Sequence, residues 1–132
     1  MIARGETLSV SVACTREKAY AFLSNPENLP RWAPAFCQSV RKSGPDWIVA
    51  TSQGDMKFRF VENNSFGVLD HYIRPSPGVE IYVPMRVVAN PTGGSDVMLT
   101  LFCQSGMSEE QFQNDIAMVR RDLATLKCAL EK

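Results

Sequence analysis

His71 is the one histidine in this 132-residue chain, and imidazole is the side chain best suited to moving a proton near neutral pH. Tyr82 and Arg86 follow it at a distance a hairpin can close. A phenol and a guanidinium can hold an enolate or carboxylate oxygen, so His71 and Arg86 are the candidate catalytic residues, with Tyr82 beside them. The same three residues also read as structure: a hydrogen-bonded core histidine, a tyrosine with its hydroxyl at the surface, and an arginine paired with an acid. Asp70 and Arg59 read most simply as a cross-strand ion pair. Trp32, set between Pro30 and Pro34, is either a rigid aromatic wall of a pocket or an anchor fixing short helices to a sheet.

A single histidine excludes three-histidine zinc and two-histidine iron sites within one chain. The four cysteines, Cys14, Cys37, Cys103 and Cys128, contain no CxxC pair, so they are expected to be reduced and mostly buried thiols. No metal and no cofactor is expected. Lys+Arg and Asp+Glu number 14 each, which leaves no basic excess for nucleic acid or an anionic membrane. No apolar run is long enough for a transmembrane segment, and the first residues lack the order of a signal peptide. The expectation is a soluble cytoplasmic protein, a monomer or homodimer. At this length and 45% hydrophobic residues the chain is expected to form a single domain over 1–132, burying about two-thirds of its extended surface.

The elements that must position these side chains follow from periodicity. Residues 6–13 alternate as a half-buried strand. Thr15 caps a short helix over 17–23, and Asn25-Pro26 starts a second, shorter one. Six further strands are expected over 36–43, 47–53, 56–62, 67–74, 79–90 and 97–104, separated by glycine, proline and asparagine turns. The triplet Asn63-Asn64-Ser65 matches a glycosylation acceptor, but without a secretory signal it reads as a hairpin turn. Taking Asn64-Ser65 as a two-residue turn pairs Phe58 with His71 and Arg59 with Asp70. Met56, Phe58, Phe60, Leu69, His71 and Ile73 then share the apolar face. A four-residue turn at 75–78 carries that face on to Tyr82 and Arg86. Finally Ser108 and Gln111 form a capping box ahead of a stripe of Phe112, Ile116, Val119, Leu123, Leu126 and Leu130. A helix over 108–130 spans roughly 34 Å, long enough to cross the whole molecule, so the sheet must curl round it.

That order, together with SNPENLPRWAP at 24–34, GVLDH at 67–71, VPMRVV at 83–88 and DLATLK at 122–127, resembles the SRPBCC (START-like) superfamily in its polyketide cyclase/dehydrase-like branch. The resemblance implies an α+β helix-grip fold: a seven-stranded curved antiparallel sheet wrapped round a long C-terminal helix, with two short helices after the first strand. It implies a mostly apolar cavity between sheet and helix. The candidates for its wall are Trp32, Phe58, Phe60 and Tyr82, with Leu99 and Leu101 from the last strand and Phe112, Ile116 and Val119 from the helix. The first expectation is a binding protein for a small hydrophobic or aromatic molecule, such as a lipid, quinone or polyketide. The alternatives are a cofactor-independent cyclase or dehydratase using His71 and Arg86, and a protein-binding or chaperone-cofactor module. The chain departs from the family's allergen-like members, because the turn at 43–46 lacks their glycine-rich loop.

Overall fold

In a computed structural model, which describes residues 2–132, the chain begins with strand β1 (Gly5–Val12) and helix α1 (Arg16–Leu23). A 3-10 turn (Pro26–Asn28) and the one-turn helix α2 (Leu29–Trp32) follow. Then come β2 (Ser39–Ser43), β3 (Asp46–Thr51), β4 (Gly54–Phe60), β5 (His71–Ser76), β6 (Val79–Val83), β7 (Met85–Ala89) and β8 (Ser95–Phe102). Helix α3 (Glu109–Leu130) closes the chain. The caps form where the sequence puts them: Thr15 Oγ1 accepts from Lys18 N, Asn25 Oδ1 from Glu27 N, and Ser108 Oγ from Gln111 N. The capping box is half made, since the Gln111 amide donates forward to Asp115 instead of back to the cap.

The strands form two antiparallel sheets, β1-β8-β7 and β2-β3-β4-β5-β6, eight strands where a single sheet of seven was expected. The extra boundary falls at Pro84, which has no N–H to continue a ladder, and it divides residues 79–90 into β6 and β7. The two sheets stay joined through the segment before β5. Leu69 N donates to Met85 O, Val87 N donates to Gly67 O, and Val68 bridges Arg86. Gly67 makes this approach possible: its φ is +72°, and a Cβ there would lie 2.2 Å from Val87 O.

One core runs through both sheets and all three helices. Leu8, Val12, Val49, Phe58, Val87 and Val97 meet Leu23, Leu29, Trp32, Phe112, Leu123, Leu126 and Leu130. Helix α3, about 33 Å long, packs chiefly on β1 and α2. Asp122 ties it down. This carboxylate is 4% exposed and accepts from Ala35 N at 2.9 Å and Phe36 N at 3.2 Å, capping the chain as it leaves α2. Among the described residues, no helix is long and apolar enough to cross a membrane.

Candidate functional site

The inner face of the five-stranded sheet is set by its register. Trp47 opposes Phe58, Phe58 opposes Ile73, Ile73 opposes Ile81, Val49 opposes Met56, and Phe60 opposes His71. The turn after β4 is longer than Asn64-Ser65. Asn64 organises it, accepting from Phe66 N and Val68 N through Oδ1 and donating from Nδ2 to Glu62 O and Val68 O. The longer loop moves the pairing by two residues, so His71 faces Phe60 instead of Phe58, and Arg59 faces Tyr72 instead of Asp70. A shift of two preserves the alternation. Met56, Phe58, Phe60, His71 and Ile73 therefore share one face, as the pattern of apolar residues requires.

At the next turn the shift is one. The β5–β6 ladder is irregular between Ile73 and Ser76, and its pairs are His71 with Val83 and Tyr72 with Tyr82. Pro75 lies inside that irregularity and cannot donate to the ladder. A one-residue slip exchanges faces, so Tyr82 and Arg86 go together to the outer face and the trio with His71 is not formed. Arg86 Nη1 and Tyr82 Oη instead donate to the Asp70 carboxylate, which also accepts from Met85 N at 2.9 Å. The Asp70 hydrogen bond pushes the Tyr82 phenol up. Tyr82 stacks on Tyr72, with ring centroids 5.4 Å apart. Arg59, the expected partner of Asp70, pairs with Asp46 at 2.8 Å.

His71 is the chemical group of the inner face. It is 5% exposed, stacked on Phe58 at 4.7 Å between centroids and met edge-on by Phe60 at 5.4 Å. Burial drives its pKa down to about 4, against a smaller opposing contribution from the Leu69 carbonyl. The ring is therefore neutral at physiological pH. Nδ1 lies 3.0 Å from Leu69 O, and since a carbonyl only accepts, Nδ1 carries the proton and Nε2 holds a lone pair.

The expected wall residues divide by their cover. Phe58, Leu99, Phe112 and Ile116 are buried in the core, whereas Phe60, Leu101 and Val119 keep part of their surface. Trp32 is 4% exposed and packed in the core, and its indole N–H has no acceptor among the described residues. Trp47, Met56 and Ile81 join Phe60 and Ile73 as half-buried apolar groups on the inner face, beyond the main packing of α3. Sequence reasoning did not single out Trp47, Ile81 or Asp122. The last had a signal, an acid three residues beyond Val119 and four before Leu126 on an otherwise apolar stripe. The sulfurs do not pair: Cys37 is buried, with its thiol pushed up to about 11 by that burial, Cys14 and Cys103 are half-buried, and Cys128 is exposed.

The outer face differs in kind. It carries shallow clefts of about 280 Å³ and about 700 Å³. Their charges are largely neutralised by Arg41–Asp55, Arg59–Asp46 and Arg74–Glu80 ion pairs.

Solved structures share this architecture. Protein XoxI from Bacillus cereus superposes with a TM-score of 0.80 at 20% identity, over 98% of this chain and 96% of its own. Ara h 8.0201 gives 0.71 at 16% identity, over 98% of both chains. A START superfamily protein from Mycobacterium smegmatis gives 0.74 at 11% identity, over 96% of both. This chain has the START-like (SRPBCC) helix-grip fold. At such identities the likeness concerns fold alone. No family model and no curated protein matches the sequence. Phe60, His71, Ile73 and Ile81 share the inner face of the five-stranded sheet, and Arg86 is turned away to Asp70.

Proposed function

We propose that this START-like chain binds a small hydrophobic or aromatic molecule between α3 and the inner face of β3–β6. One observation carries the reading: Trp47, Met56, Phe60, Ile73 and Ile81 are contiguous by register on four adjacent strands, yet only half-buried. An apolar surface of this kind, flanked by a neutral histidine, gains about 25 cal/mol for each Å² that a ligand covers, before binding costs. The outer clefts suit such a ligand less well, because ion-paired carboxylates and guanidiniums line them. The enzyme alternative needs His71 and Arg86 side by side. His71 is on the inner face of β5, whereas Arg86 of β7, in the other sheet, pairs with Asp70, which gives that reading less support.

The test uses N-phenyl-1-naphthylamine, a neutral probe that brightens in apolar surroundings, together with mass spectrometry of organic extracts of the purified protein. The expected results are saturable brightening, its loss in Phe60→Asp, and a stoichiometric hydrophobic compound in the extract. A probe that stays dark and an extract that is empty would overturn the reading in favour of a protein-binding role.

A further inference from the structure

The hydrogen-bond inventory of the inner face says more about the ligand than its apolarity does. His71 is 95% buried by its 5% exposure, and its Nδ1–H is committed to Leu69 O. Its Nε2 has no hydrogen-bond partner among the described residues. Nε2 is also not among the buried polar atoms sealed off by neighbours, whereas the Trp32 indole nitrogen is. The ring lies between Phe58 and Phe60, on the face it shares with Ile73 and Val83. Nε2 thus keeps an opening from which a donor can approach, and the aromatic and aliphatic side chains around it supply none.

We propose that Nε2 of His71 is the polar anchor of the site and accepts a hydrogen bond from the ligand, which makes the preferred ligand class an aromatic or aliphatic compound bearing a neutral hydroxyl or N–H. A phenol or alcohol brings the donor that the site lacks. A carboxylate brings only acceptors, and it would set a negative charge against a lone pair. Two cations, Arg86 and Lys42, offer a group held at Nε2 little compensation. Arg86 is on the outer face with Asp70, and Lys42 sits over the Trp47 ring on β2, three strands and about 14 Å from β5.

This inference rests on the proposed binding site, and the experiment separates the two. Affinities of the full chain are measured for 2-naphthol, 2-methoxynaphthalene and 2-naphthoate, which share a ring system and differ in the polar group. The expected order puts 2-naphthol about 3- to 10-fold ahead of its methyl ether, the worth of one net hydrogen bond, with naphthoate weakest. In His71→Leu the ratio of naphthol affinity to ether affinity should fall to about one. His71→Gln, which restores an acceptor, should recover part of it and serves if the leucine variant does not fold. In ¹⁵N spectra, naphthol should shift the resonance of Nε2 and leave that of protonated Nδ1 nearly unmoved. Equal binding of naphthol and its ether, or a preference that survives in both variants, overturns the anchor while leaving the site standing. Failure of all three compounds to bind removes the site, and the anchor with it.

Discussion

Asp70 and His71 are neighbours on one chain and nearly equally buried, 8% and 5% exposed, yet they solve burial in opposite ways. Asp70 turns to the outer face, where Met85 N, Tyr82 Oη and Arg86 all donate to its carboxylate. His71 turns to the inner face among phenyl rings and gives up its charge, because only one carbonyl is within reach. Hydrogen bonding can hold an ion in a nearly sealed place; desolvation without it leaves the neutral form. The sheet thus separates a charged, self-satisfied face from an apolar one with an unused acceptor.

The largest break in that contrast would come from removing the cover of one face only. Deleting residues 108–132 should leave the outer ion pairs intact but expose the apolar inner side, giving insoluble or molten protein by solubility and near-UV circular dichroism. A monomeric truncation with a sharp thermal transition would contradict the way α3 shields the core.

Acid should next distinguish the two neighbours. The pKa of His71 falls from an ordinary 6.5 to about 4 on folding. Its neutral form therefore contributes stability that is complete above pH about 6.5 and is lost as pH drops through about 4. The loss is roughly 3 kcal/mol at most. Denaturant midpoints between pH 7 and pH 4 should fall more in the native protein than in His71→Gln. Equal slopes would mean that the ring is not desolvated.

Asp70→Ala should cost about 2 kcal/mol, since it strips the Met85 amide of its acceptor and leaves Arg86 without its partner. The expected change is in stability, with probe binding at the inner face unaltered. The smallest effect belongs to Arg86→Met: about 1 kcal/mol in stability and less than a two-fold change in affinity for N-phenyl-1-naphthylamine. A large loss of binding there would return Arg86 to the ligand's side of the sheet.

How far the site was legible depends on what each turn does to parity. The alternation of Met56, Phe58 and Phe60 against Lys57 and Arg59 fixes which face of β4 is inward whatever the exact register. The Asn64 loop is longer than a two-residue turn, but by an even shift, so the face of His71 survived the error. The Pro75 irregularity changes the count by one, and that moved Tyr82 and Arg86 to the other side of the sheet. Nothing in the spacing of residues 74–79 distinguishes a four-residue turn from a bulge followed by a tighter one, because both satisfy the same proline and glycine preferences.

Local rules within the sequence itself thus determined the caps at Thr15, Asn25 and Ser108, the long α3 with its apolar stripe, and the inward face of β4. Each depends on residues within one or two turns of each other, where periodicity and backbone hydrogen bonding leave few choices. Tertiary structure decided what depends on distant groups. It selected the three donors that meet the Asp70 carboxylate, and it brought Asp122 against Ala35 and Phe36. It also left His71 one carbonyl and an idle Nε2. Whether a buried polar group is charged, capped or unpartnered is fixed by which segments meet it in space, and that information is carried by no local stretch of sequence.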